Sequence, residues 1–123
     1  MKTYQHILLA TTLTNPSRLI ALKAVQMAED FAARLTLLHV VEKEVRGYKK
    51  INQARLQIEA LGKELVVPRF DQHVAVGCAK TLIAKIAQQL PADLIILGGH
   101  GETAMAVSQT ATCDIVFINI NKV

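Results

Sequence analysis

Tryptophan is absent, and only three phenylalanines and two tyrosines occur among the 123 residues. Proteins that grip single-stranded nucleic acid stack its bases on aromatic faces, and this chain has few to offer. Cysteine is equally scarce. Cys78 and Cys113 stand far apart and in no C-x-x-C pair, which excludes a disulfide-built scaffold and a zinc finger. Both read as reduced thiols. Neither a linker nor a low-complexity run is present. No apolar run approaches the roughly 18 residues that suggest a membrane span. The stretch Ile7–Ala10 that follows Lys2 is too short for the core of a secretory leader. These absences lead us to expect a soluble, cytoplasmic protein without a membrane partner.

What is present is apolar material in quantity. Hydrophobic residues make up 51% of the chain and charged residues 20%, the balance of a folded protein. Its 123 residues suit one domain, spanning 1–123. A chain of this length buries roughly two thirds of its unfolded surface, so it needs no metal or disulfide. The net charge of +4 is local: residues 1–62 hold nine Lys/Arg against five Asp/Glu, and residues 63–123 hold five of each. The excess traces to Lys43, Arg46, Lys49, Lys50 and Arg55, against Glu44. Such a cluster suits either a phosphate backbone or a solvated helix face. With Tyr48 its only interleaved aromatic, the second reading is favoured and nucleic acid is not expected as a partner.

Apolar patterns alternate between two periods. Ile7–Ala10 is a short continuous run, as expected of a strand covered on both faces, and Leu35–Val41 and Asp93–Leu97 likewise read as buried strands. Helical spacing follows Asn15-Pro16 through Leu19, Leu22, Val25, Met27, Ala28, Phe31 and Ala32, with Thr14 or Asn15 as cap. It returns from about Lys43 to Leu65, where Ile51, Ala54, Ile58, Leu61 and Leu65 form an inward stripe. A third helix is expected over Ala79–Leu90. Between these two, Phe70, Gln72, Val74 and Val76 alternate with Asp71, His73 and Ala75, which predicts a strand near a sheet edge. Glu102 to about Ala111 suits a short helix, and Asp114–Ile120 a last strand. This alternation predicts an α/β protein, a parallel sheet with helices on both faces.

In open sheets of this kind ligands bind beyond the C-terminal strand ends, where strand order reverses. The candidate loops are Ala10–Asn15, Val40–Glu42, Gly77–Ala79 and Gly98–Gly101. The last carries three glycines in four residues. It suits either an anion held by backbone N–H groups or a tight turn that needs positive φ. Neither G-x-x-x-x-G-K nor G-x-G-x-x-G occurs. Catalytic and metal constellations are not expected. Ser17 and Ser108 lie outside any G-x-S-x-G, and Glu29-Asp30 face solvent on a helix. His6, His39, His73 and His100 are scattered, with His39 read as a hydrogen-bonded core histidine and His100 placed in the glycine loop.

Three segments in order resemble the universal stress protein family: His6-Ile7-Leu8-Leu9-Ala10-Thr11-Thr12-Leu13-Thr14, Leu35-Thr36-Leu37-Leu38-His39-Val40-Val41, and Ala92-Asp93-Leu94-Ile95-Ile96-Leu97-Gly98-Gly99-His100-Gly101. The resemblance implies a Rossmann-like open sheet of five parallel strands in the order 3-2-1-4-5. It also implies a homodimer through the last strand, at Ile115, Val116, Phe117, Ile118, Asn119 and Ile120. A vestigial nucleotide site is implied at Ala10, Thr11, Thr12, Val40, Gly98, His100 and Gly101. Members that bind ATP follow Gly-x-x-Gly after nine residues with Gly-Ser or Gly-Thr; here Ala111-Thr112 stands there and Cys113-Asp114 follows at once. Thr12 replaces the usual Asp, and Ala79 a frequent Pro. The expectation is a dimeric regulatory or interaction module of the stress response, with a possible protein partner, no enzymatic activity and no cofactor. The alternative is a weak or altered binder of ATP, ADP or AMP. A third reading is an enzyme of the related adenine-nucleotide α-hydrolase type.

Overall fold

The computed structural model describes residues 4–13, 15–42, 48–98 and 101–119. Five strands, β1 (His6–Ala10), β2 (Arg34–Glu42), β3 (Gln72–Gly77), β4 (Leu94–Gly98) and β5 (Asp114–Ile118), alternate with four helices. These are α1 (Asn15–Phe31), α2 (Tyr48–Leu65), α3 (Ala79–Gln89) and α4 (Glu102–Thr110). All strand pairings are parallel, in the order β3-β2-β1-β4-β5. The sheet is the five-stranded Rossmann-like arrangement expected.

The continuous apolar runs are explained by what covers each face. Alternate residues of a strand point to opposite sides. Ile7, Leu9, Leu35, Leu37, Leu94 and Ile96 pack with Ile20, Ala21, Ala24 and Ala28 of α1 and Ile58 and Leu65 of α2. On the other face Leu8, Leu38, Ile95 and Leu97 pack with Ile83 and Ala87 of α3 and Ala104 and Val107 of α4. Helices therefore cover both faces. The buried face of α1 differs from the apolar stripe read in the sequence: Leu19 and Leu22 are 41% and 46% exposed, while Ala21 and Ala24 are fully buried. Small side chains let a helix sit close on a sheet, so alanine outranks leucine here.

At the N-terminal end of the sheet, polar groups tie the strands together. The Asp93 carboxylate accepts the N–H groups of Gln5 and His6, at 2.9 and 3.0 Å, fixing the start of β1 beside β4. His6 Nε2 lies 2.7 Å from Thr36 Oγ1, and Thr36 donates to the Asp71 carboxylate at 3.0 Å. Arg34 binds the same carboxylate and lies over the ring of Phe70. Burial, with the Arg34 charge nearby, lowers the His6 pKa against the opposing pull of Asp71 and Asp93. The expected alternation around Phe70 and Asp71 is corrected by this network. Arg69–Asp71 form a 3-10 turn, so Phe70 is exposed and Asp71 is buried against its partners. The strand begins only at Gln72 and occupies a sheet edge.

Helix ends also depart from their ordinary sequence signals. After α1 and α2 the chain turns through Ala32 and Val66 with φ of 54° and 58°. Ala33 N–H then bonds Ala28 C=O, and Val67 N–H bonds Gly62 C=O, each at 2.8 Å. These are six-to-one closures that usually carry glycine at the left-handed residue. In α2 the glycine stands earlier, at Gly62, where a Cβ would lie 2.1 Å from Gln72 Nε2 and 3.1 Å from Val67 C=O. Gln72 donates that amide to Val67 C=O at 2.9 Å, so the side chain is not free to retreat. Val66 is 87% exposed and buries little. Relief of its left-handed, β-branched backbone should outweigh the entropy that glycine adds to the unfolded chain. Val66→Gly should therefore stabilise the protein by about 0.5–1 kcal/mol. Urea denaturation should show a higher midpoint with an unchanged slope, and a lower midpoint would contradict the assignment.

Candidate functional site

Strand order reverses at β1, which has β2 on one side and β4 on the other. Beyond the C-terminal ends of these strands lies a cavity of about 590 Å³. All four loop regions expected from the sequence contribute to it. Of the expected site residues, Ala10, Thr11, Thr12, Val40 and Gly98 line the cavity together. Gly101 caps the start of α4 at φ 118°, outside the lining itself. His100 lies outside the described residues, as do Gly99 and Thr14.

Thr11 organises the floor. Its N–H bonds Leu38 C=O at 2.8 Å, extending the β1–β2 pairing by one residue. Its hydroxyl accepts Leu13 N–H at 3.1 Å and donates to Ser17 Oγ at 3.3 Å. Its carbonyl lies 2.8 Å from His39 Nδ1. A carbonyl only accepts, so Nδ1 carries the proton, and in the neutral ring Nε2 is left as an acceptor. His39 is hydrogen-bonded as expected. It is half-buried and lines the cavity, however, rather than lying in the core.

The mouth carries three charges that the sequence reading did not bring together. Glu42, at the end of β2, accepts Ala79 N–H at the start of α3, at 3.4 Å. Glu102 occupies the first turn of α4 and pairs with Lys80 of α3 at 2.7 Å. Each partner stabilises the charge of the other. The hydrogen bond to Glu102 raises the Lys80 pKa, and the bond from Lys80 lowers that of Glu102. A signal for both was available. In a parallel sheet every first helical turn after a strand faces the same end, so a charge there belongs to the crevice.

The segment after Gly101 is a nine-residue helix, and Ala111–Cys113 then lead directly into β5. The final strand ends at Ile118 rather than Ile120. Ile115, Val116 and Ile118 are half-buried, Phe117 is 43% exposed and Asn119 is exposed. Ile120 lies outside the described residues. So do residues 43–47, which hold Lys43 and Arg46 of the expected basic cluster; Lys50 and Arg55 are exposed on α2. Among the described residues no three His, Cys, Asp or Glu side chains are grouped to hold a metal, and no helix is long and apolar enough to cross a membrane.

Comparison with known proteins agrees with this geometry. "Universal stress protein A homolog 1" of Coxiella burnetii is 28% identical, over 94% of this chain and 96% of that protein. The structure of the universal stress protein UspA from Lactobacillus plantarum superposes with a TM-score of 0.82 at 22% identity, covering 96% of this chain and 99% of the other. That of the universal stress protein from Archaeoglobus fulgidus in complex with dAMP superposes with a TM-score of 0.76 at 14% identity, covering 96% and 99%. The sequence model of the Universal stress protein family matches residues 3–118, and the chain belongs to that family.

Proposed function

We propose that this protein is a homodimeric, cytoplasmic regulatory or interaction module of the stress response, which holds no ATP tightly and catalyses no turnover. The observation that carries this reading is the Lys80–Glu102 pair, which sets a carboxylate in the first turn of α4. That turn directly follows Gly98–Gly101, where the family resemblance would put phosphate. Other polar groups of the cavity are likewise committed to the protein itself: Glu42 to the first amide of α3, and His39 Nδ1 to the Thr11 carbonyl. Thr12 supplies no carboxylate, and no glycine stands at Ala111.

A weak or altered binder of adenine nucleotide (ATP, ADP or AMP) is the second reading. The cavity favours it. At about 590 Å³ it lies within the range of small-molecule sites. Ala10, Thr11, Thr12, Val40 and Gly98 surround it, and the related Archaeoglobus fulgidus protein carries dAMP. Gly101 and His100 complete the proposed site.

The dimer is proposed on β5. Among the described residues this strand pairs only with β4, so its other edge is open to a partner strand. Between Ile115 and Asn119 it has no charge and no proline to discourage pairing. A second copy joined across a two-fold axis completes the ladder and covers Phe117 in a closed assembly.

Two outcomes follow. Calorimetric titration with ATP, ADP and AMP, with and without magnesium, should give no ATP dissociation constant below about 1 μM, or about 8 kcal/mol. Submicromolar ATP binding overturns the reading. Light scattering should give twice the 13.5 kDa chain mass. Phe117→Lys, at an exposed position, should shift that mass to the monomer. An unmodified protein that stays monomeric at high micromolar concentration contradicts the dimer.

A further inference from the structure

We infer that the cavity selects a neutral adenine nucleoside over its phosphorylated forms, because two carboxylates stand at its mouth, Glu42 on the first amide of α3 and Glu102 in the first turn of α4. The inference rests on the adenine reading of the cavity and adds to it the charge of the ligand. A helix N-terminus carries about half a positive charge and free N–H groups, and so attracts phosphate. Here the start of α3 meets the Glu42 carboxylate, with Ala79 N–H 3.4 Å from Oε1. The start of α4 carries Glu102 in its first turn. Lys80, the one cation among the described residues that line the cavity, is bound to Glu102 at 2.7 Å.

The three side chains together carry one net negative charge. An arriving phosphate must either pull Lys80 away from Glu102 or settle beside two carboxylates. Neither carboxylate is a good neighbour for a phosphate dianion, and like charges brought together disfavour a ligand strongly. The cavity interior asks for the opposite chemistry. Ala10, Val40 and Leu97 give it apolar walls that suit a purine face. His39 holds its Nδ1 proton on the Thr11 carbonyl, which leaves Nε2 as an acceptor in the neutral ring. Ribose hydroxyls and the exocyclic amine of adenine are donors that adenosine and its nucleotides share, so the interior binds the common part and the charges at the mouth discriminate.

The test is calorimetric titration of the unmodified protein with adenosine, AMP and ATP, repeated on the double variant Glu42→Gln/Glu102→Gln. Adenosine should bind about tenfold more tightly than AMP, equivalent to about 1.4 kcal/mol, with ATP weaker again. In the double variant the preference for adenosine over AMP should fall about tenfold. Raising salt on the unmodified protein supplies a second measurement that does not depend on the variant folding. The preference should narrow between about 0.01 and 1 M salt, as the screening length falls from about 30 to 3 Å. If AMP binds as tightly as adenosine or more tightly, charge selection is overturned while the adenine reading stands. A preference unmoved by both the substitutions and salt also overturns it. If neither adenosine nor AMP binds, the adenine reading falls and takes the inference with it.

Discussion

The molecule depends on β1 being hydrogen-bonded on both sides, to β2 and to β4, with the helix that leads to β2 on one face of the sheet and the helix that leads to β4 on the other. Fully buried Ile7, Leu8 and Leu9 anchor it against both helical layers. Because α1 crosses to one side and α3 returns to the other, the connections beyond the strand ends part instead of covering one another. The cavity is the space this parting leaves. At the opposite end Asp93, Thr36 and Asp71 hold the strand starts in register, so the scaffold is fixed where the site is not.

The side chains at the rim set the charge of the site. The fold aims the N-termini of α3 and α4 at one crevice, an arrangement that favours an anion. The start of α3 instead meets the Glu42 carboxylate, and Glu102 in the first turn of α4 is bound to Lys80. The apolar cavity persists behind this rim. In the proposed reading, a fold suited to phosphate thus carries a mouth that opposes it. The short passage from α4 to β5 acts in the same sense, since Ala111–Cys113 leave no room for a glycine-bearing loop before the last strand.

Much of this was legible in the residues, for definable reasons. Strands covered on both faces must be apolar throughout, so Ile7–Ala10 and Leu94–Leu97 announced themselves as runs. Their order came from the family resemblance, because local periodicity says nothing about neighbours. Helix α1 was harder. Its core contacts are made by Ala21, Ala24 and Ala28, whose small apolar area weighs little in a pattern, while Leu19 and Leu22 stay exposed. Asp71 was read as an outward residue of an alternating strand; its burial depends on Arg34 and on Thr36, 35 positions away. The same limit hid Lys80 and Glu102, which are 22 positions apart and meet only after α3 and β4 are in place. Loops were found from sequence, but charge pairs across them required the fold.

The most direct measurement of the central claim, that the protein's own carboxylates oppose phosphate at the mouth, is an amide proton–nitrogen NMR spectrum titrated with inorganic triphosphate. Triphosphate carries the charge of the nucleotide tail without the base, so it probes the rim alone. The account predicts no saturable shift at the amides of Ala79, Lys80, Glu102 and Thr103. Saturable shifts concentrated at those four amides, at micromolar triphosphate, would contradict it.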